Sequence, residues 1–386
     1  MHTSNALSAG HKPSQFATRE ELLALAKFCD EEAHAVSFYF SLSSSPDSSH
    51  REEEVSIKNL VRDTIGHCEQ GTRTEGFLKD LAQVLAAVED IRSSPSRFRA
   101  VFACRDQHIW QDFDLPALGS ISHLGVGRHF DLAPLFAARE SCTPYCVVLI
   151  ERGKARAFVV RGTEVHELLG RLLAEDLGLH ADDSRVGWSH HISGILEEHA
   201  KAYLKHFALQ LHSFMAEQGC ARLVVGCRED LWSDVEPQLL EAGRAALIGR
   251  FHLPGFDVSA AGVLEAARPV FDEDQRRRYL DAAGKIQEGS LQSVLGLNEV
   301  LRSLDEGRVH KLILGKTSDE VCSECKDCGR SQAGVCSSCP FCGSAELRPV
   351  VAREVLVRRS LLTDAEVLLP GDESYGLDDV AAWLRY

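Results

Sequence analysis

The chain has 386 residues, 44% of them hydrophobic and 26% charged, with a formal net charge of −15. At roughly 100–200 residues per domain this predicts about two to four domains of ordinary globular composition. The acidic balance excludes a bulk electrostatic grip on nucleic acid, so any RNA contact must be local.

In chain order, TREELLALAKF (18–28) has helical spacing and HAVSFYFSL (34–42) reads as a strand. HREEEVSIKNLVRDTIGHCEQ and EGFLKDLAQVLAAVEDIRS carry apolar positions at helical spacing, for example Leu78, Leu81, Val84, Leu85 and Val88. FRAVFACRDQHIWQDFDLP reads as two short strands around a turn. A first α/β region is therefore expected over 1–140. From Tyr145, two apolar strands flank ERGK and a third follows RGT, a hairpin pattern. A polar loop leads to a long helix over 192–217, with Ile192, Leu196, Tyr203, Phe207, Leu211 and Phe214 on one face. ARLVVGC is a buried-strand pattern, SDVEPQLLEAGRAAL helical, and IGRFHLP a short strand. These define a second α/β region, 141–257. In the third, 258–386, SAAGVLEAARPVFDEDQRRRYLDAAGKIQ and LQSVLGLNEVLRSLDEG read as helical and RVHKLILG as a strand. ELRPVVAREVLVRRSLLT reads as helical after Pro349, AEVLLP as a strand, and GLDDVAAWLRY as a closing helix or a helix–strand end.

No apolar run approaches the about 18 residues that span a bilayer. MHTSNALSAGHKPSQF lacks the apolar core of a signal peptide. A cytoplasmic protein with no membrane partner is expected. Of the 13 cysteines, Cys29, Cys68, Cys104, Cys142, Cys146, Cys220 and Cys227 are scattered, as buried small hydrophobes of a reducing compartment would be.

The other six, Cys322, Cys325, Cys328, Cys336, Cys339 and Cys342, crowd into VCSECKDCGRSQAGVCSSCPFCG. Zinc takes four thiolates in a tetrahedron, and a Cys-x2-Cys turn brings two to one ion. A glycine after the second cysteine permits the bend that aims amides at the sulfurs. CKDCG and CPFCG both meet this description, so Cys325, Cys328, Cys339 and Cys342 are the preferred set for a structural Zn2+. Cys322/Cys325 with Cys336/Cys339, mixed pairs, or a two-metal cluster are the rival sets. Paired Cys-x2-Cys turns in a cytosolic chain favour metal over a redox cluster. A closed tetrathiolate site leaves no position for water, so no catalysis is expected there.

SVLGLNEVLRSLDEGRVHKLILG (293–315) resembles the segment leading into the first core strand of the C-terminal domain in the archaeo-eukaryotic class-1 release factor and Pelota family. Several members of that family carry a zinc-binding minidomain after this strand. The ending YGLDDVAAWLRY resembles the family's GGIAAILRY-type terminus at Val380, Ala381, Ala382, Leu384, Arg385 and Tyr386, and departs from it at Asp378 and Asp379. RVGWSHHISGILEEHAKAYLKHFALQL (185–211) resembles the family's junction between hairpin, loop and long helix. The resemblance covers roughly residues 140–386.

It implies a multi-domain α/β protein with an RNase H-like central domain and an L7Ae-like C-terminal domain carrying a zinc ribbon over 322–343. It also implies binding at or near the ribosomal A site, in stalling, rescue or hibernation. The implied partners are ribosomal RNA and tRNA, with a translational GTPase as a further candidate, and the expected state is a monomer. Release factors carry Gly-Gly-Gln in the central loop. Here that triplet occurs nowhere, and Val186, Gly187 and Trp188 occupy its place. Some bacterial relatives without it, the Balon type, bind idle ribosomes.

The candidate contacting loop is therefore Gly187, Trp188, Ser189, His190 and His191. A helix N-terminus favours phosphate, Ser189 is placed to cap it, and Trp188 offers a stacking face. His190 and His191 can donate hydrogen bonds or shuttle protons. Taken without the resemblance, the same stretch is an ordinary solvated loop. One rival function is a peptidyl- or aminoacyl-tRNA hydrolase using this altered loop. Another is a zinc-ribbon interaction module unrelated to ribosomes. Arg276, Arg277 and Arg278 read as a solvated helix face paired with Asp272, Glu273 and Asp281.

Overall fold

The computed structural model describes residues 18–32, 34–41, 50–67, 74–90, 98–115, 122–141, 143–151, 154–162, 164–173, 190–252, 255–289, 292–370 and 376–386. They form two compact units, one drawn from 1–140 together with 279–386 and the other from 141–278.

The N-terminal part of the first unit contains α1 (Arg19–Lys27), β1 (Ala35–Ser41), α2 (His50–His67), α3 (Glu75–Asp90), β2 (Phe98–Cys104), β3 (Ile109–Leu115), β4 (Ser122–Gly127) and α4 (Ala133–Ser141). Its antiparallel sheet has the order β3-β2-β1-β4. β1 and β2 are apolar at both parities because both sheet faces are covered. Val36, Phe38 and Phe40 pack with Ile57, Val61, Phe77, Leu81 and Val84 of α2 and α3. Tyr39, Phe98, Ala100 and Phe102 pack with Leu22 and Leu25 of α1 and Leu135 and Ala138 of α4. α1 starts at a capping box in which Thr18 and Glu21 satisfy each other's backbone N–H groups. β4 and α4 carry no strong periodic signal. SHLGVG has one buried residue among six, and Pro134 with short apolar pairs obscures the helix.

The second unit contains β5 (Tyr145–Glu151), β6 (Lys154–Arg161), β7 (Glu164–Leu173), α5 (His190–Gln218), β8 (Leu223–Cys227), α6 (Glu229–Val235), α7 (Glu241–Ala246), β9 (Leu247–His252) and most of α8 (Ala260–Gln287). The sheet order is β7-β6-β5-β8-β9, antiparallel through β7, β6 and β5 and parallel through β5, β8 and β9. This is the order and polarity of an RNase H-like domain. Cys146, Val148 and Ile150 face Tyr203, Phe207 and Leu211 of α5. Tyr145, Val147 and Leu149 face Val263, Ala267 and Phe271 of α8. The helix expected over SDVEPQLLEAGRAAL is two helices, α6 and α7, separated by a short 3-10 turn at Glu236–Gln238, because Pro237 has no N–H for a continuous ladder.

The C-terminal part of the first unit contains the end of α8, β10 (Ser293–Leu295), α9 (Leu297–Asp305), β11 (Val309–Ile313), β12 (Val321–Cys325), β13 (Ser331–Ala333), β14 (Leu347–Val351), α10 (Ala352–Thr363), β15 (Glu366–Leu368) and β16 (Ala381–Leu384). One sheet runs β10-β16-β11-β15, and a smaller one runs β13-β12-β14. Three expectations are corrected here. Ser293–Leu295 is a strand, stopped by Gly296 at φ 96° before α9. Pro349–Val351 belongs to β14, where Pro349 pairs opposite Ser323, and the helix begins only at Ala352. The chain ending forms strand β16 between β10 and β11, since Ala381 and Ala382 are buried on opposite faces of the sheet.

The two parts of this unit share a core. Ala133 and Phe136 of α4 belong to the apolar cluster of β11, α9 and α10. Leu361 of α10 packs against the cluster of α1 and β2. Among the described residues, no helix is long and apolar enough to cross a membrane.

Candidate metal centre and its surroundings

The small sheet β13-β12-β14 is inserted between β11 and α10 and carries the cysteine segment. Cys325 ends β12, and Cys328 follows through a tight turn in which the Gly329 N–H donates to the Cys325 carbonyl at 3.0 Å. The second turn repeats this, with the Gly343 N–H donating to the Cys339 carbonyl at 2.8 Å. Both glycines have positive φ, 72° at Gly329 and 79° at Gly343, a conformation that a side chain disfavours. Outside the turns, the Cys339 N–H reaches the Ser344 carbonyl at 2.7 Å and the Cys325 N–H the Arg330 carbonyl at 2.9 Å. Arg359 of α10 braces the first turn by donating to the Gly329 carbonyl at 2.7 Å.

Cys325, Cys328, Cys339 and Cys342 bring their sulfurs within 4.8 Å of one another. Cys325 Sγ lies 3.6 Å from Cys342 Sγ, and Cys328 Sγ lies 3.6 Å from Cys339 Sγ. Four thiolates at about 2.3 Å from a tetrahedral zinc would stand about 3.8 Å apart. The four-sulfur cradle is thus already the size of such a site. Its proton chemistry points the same way. Burial tends to raise the Cys339 thiol, but backbone donors at Cys342 and Phe341 and the neighbouring thiols outweigh it and bring it down to about 7. Cys342 accepts a backbone donor at Ser344 that favours its thiolate, yet burial and contact with three other thiols push it up to about 12. Four sulfurs this close cannot all ionise unless a cation neutralises them. Of the rival ligands, Cys322 is fully buried in the core of β11 and α10, and burial pushes its thiol up to about 11. Cys336 stands apart from the four and donates its backbone N–H to Ser323 Oγ.

The predicted contacting loop has little structural description. Gly187, Trp188 and Ser189 lie outside the described residues, and α5 starts at His190, with His191 next in its first turn. The arginine run is paired as expected of a helix face. Arg276 meets Glu273 at 3.2 Å and Arg277 meets Asp274, rather than Asp281, at 2.7 Å.

Beside the cysteine ribbon lies a buried charge network with no sequence motif to announce it. Glu324, one residue before Cys325, is 3% exposed. Its Oε2 accepts from Arg348 Nε at 3.0 Å and Nη2 at 2.8 Å, and its Oε1 accepts from Arg358. Burial alone would raise this carboxyl, but Arg358 and Arg348 hold it at about 2. His129, on the loop between β4 and α4, places Nε2 3.9 Å from Glu324 Oε1. Burial, with Arg358 nearby, brings the His129 imidazole down to about 4. Farther along the same contact, His123 Nε2 is 2.9 Å from Asp131 Oδ2, and the hydrogen bond raises the His123 pKa. Glu354 of α10 faces them, and burial together with Asp131 pushes its carboxyl up to about 7.

Residues 131–271 match the profile of bacterial archaeo-eukaryotic release factor family 10. Over this segment the chain is similar to the bacterial archaeo-eukaryotic release factors. Among solved structures, yeast (S. cerevisiae) Dom34, described as a translation termination-like factor, aligns at 9% identity over 97% of this chain and 92% of its own, with a TM-score of 0.40. A ribosome-bound archaeal Pelota, described together with ABCE1, aligns at 11% identity over 97% and 95%, with a TM-score of 0.40. An archaeal translation termination factor, aRF1, aligns at 15% identity over 96% and 99%, with a TM-score of 0.26. No curated protein matches the sequence.

Proposed function

We propose that this release-factor homologue is a translation factor that binds the ribosome at or near the A site and does not hydrolyse peptidyl-tRNA. The observation that carries the reading is the family match over the central RNase H-like domain in a sequence without Gly-Gly-Gln. Release by this family relies on that triplet to position water at the ester. A protein that keeps the domain without it retains a shape for the site but not the group that activates water. Trp188, Ser189, His190 and His191 then serve as contacts to RNA, by stacking and by hydrogen bonds to phosphate. The reading covers action in stalling, rescue or hibernation.

The four cysteines hold a structural zinc ion. The metal would fix both Cys-x2-Cys turns and so shape the ribbon, with no open position for chemistry. Co-sedimentation with purified ribosomes tests the reading, alongside release from peptidyl-tRNA in the A-site-vacant state. Binding without release is expected. Release that disappears in His190→Ala or His191→Ala would instead favour a hydrolase.

A further inference from the structure

The loop at 127–131, in the N-terminal part of the first unit, meets the cysteine ribbon and is tied on both sides. On its own side, the Arg128 carbonyl accepts from the Asp30 N–H at 2.7 Å, and His129 Nδ1 meets the Phe28 carbonyl at 2.8 Å. On the ribbon side, Arg128 Nη1 donates to the Lys326 carbonyl at 3.1 Å. Lys326 lies inside the first cysteine turn, between Cys325 and Cys328. His129 faces Glu324, which immediately precedes Cys325. Gly127 passes close over Arg348. A Cβ there would lie 3.1 Å from Arg348 Nη1, so the glycine allows the approach.

Two of the ribbon groups that the loop meets, the Lys326 carbonyl and Glu324, directly flank Cys325. The direction of the Lys326 carbonyl follows from the turn geometry that Cys325 and Cys328 impose. Glu324 is held at the last paired stretch of β12, whose end is Cys325 opposite Leu347. Without a cation, four thiols at these separations have no common attraction, and the turn is left to its backbone bonds and the Arg359 brace, which hold it less firmly. Its carbonyl then turns away from Arg128, and the buried Glu324–Arg348–Arg358 cluster loses its fixed edge.

We propose that the metal ribbon is a latch: the ion bound by Cys325, Cys328, Cys339 and Cys342 fastens the N-terminal domain to the C-terminal domain through Arg128 and His129. The apolar contacts of α4 and α10 position the domain, and the latch closes the polar edge of the contact. This rests on the metal reading above and is independent of what the protein binds. Coupling of this kind is reciprocal, so docking of the loop must in turn tighten metal binding, by a factor on the order of 5–150 for a typical linkage.

The test uses the full chain, zinc-loaded, stripped with EDTA, and reloaded with zinc alone. Hydrogen exchange is followed by mass spectrometry, and bound metal is measured in parallel. Stripping is expected to speed exchange on the order of tenfold in 126–132 as well as in 321–347, with β5 and β8 unchanged and reloading restoring protection. Arg128→Ala is expected to loosen 126–132 with zinc stoichiometry intact and to weaken zinc affinity several-fold. If stripping speeds exchange in 321–347 alone, or if Arg128→Ala leaves zinc affinity unchanged, the latch is wrong while the metal site stands. A chain that takes up no zinc overturns the metal site and the latch with it.

Discussion

Glu354→Gln should change from neutral to stabilising as pH rises from about 4.5 to about 7. The Glu354 carboxyl is held at about 7 in the fold against 4.5 for an unperturbed glutamate. The cause is burial on α10 opposite Asp131, only partly offset by His123, Arg348 and Arg358. A carboxyl whose pKa is raised on folding favours the fold while protonated. The folded state binds the extra proton between pH 4.5 and 7, so stability falls across that window and stays low above it. At about 1.4 kcal/mol per pH unit, the full difference is ~3 kcal/mol, and solvent screening at this partly buried site reduces it to about 1–3 kcal/mol. Glutamine keeps the shape of the protonated acid without the charge. Urea titration read by pulsed hydrogen exchange in 309–313 and 352–363 would measure both proteins at pH 5 and pH 8.5. The variant should match the wild type within about 1 kcal/mol at pH 5 and exceed it by about 1–3 kcal/mol at pH 8.5. A difference that is the same at both pH values would refute the raised Glu354 carboxyl.

Other consequences concern the cysteines and the central sheet. Cys325→Ser and Cys342→Ser should each abolish stoichiometric zinc, measured by plasma emission spectroscopy on the purified protein. Cys322→Ser should keep the metal but cost about 1–3 kcal/mol in stability, because it places a hydroxyl in an apolar core. Metal loss from the Cys322 variant alone would overturn the ligand assignment. Gly226→Ala should destabilise the central domain by about 1–3 kcal/mol in chemical denaturation. A Cβ at Gly226 would sit 2.5 Å from the Phe251 ring and 2.8 Å from Leu149, so both side chains would have to move to admit it. An unchanged midpoint would show that this packing is looser than described.

Much of the fold was legible in the sequence where one physical signal dominated. The β5–β6–β7 hairpins and α5 were marked by apolar runs broken at turn residues, and the structure has them. The two cysteine turns were legible because a glycine after Cys328 and after Cys342 has few other reasons to be there, and both adopt the left-handed backbone. Where signals competed, the reading failed. Ser293–Leu295 and Ala381–Leu384 are short strands whose composition suits a helix, and they are extended because they pair with each other. β4 and α4 were missed because glycines and a proline dilute their periodicity. The buried network of Glu324, Arg348, Arg358, His129, His123, Asp131 and Glu354 was illegible for a different reason. Its members lie up to more than two hundred positions apart, and each alone reads as an ordinary surface charge. Only tertiary contact between the N-terminal and C-terminal parts makes them a site.

Ribosome binding is the claim on which the functional reading depends. Sedimentation of the zinc-loaded protein with purified vacant ribosomes at low and moderate salt measures it most directly, with peptidyl-tRNA release assayed on the same complexes. The account predicts co-sedimentation that weakens in Trp188→Ala, with no release above background. A protein that stays in the supernatant at low salt would contradict it.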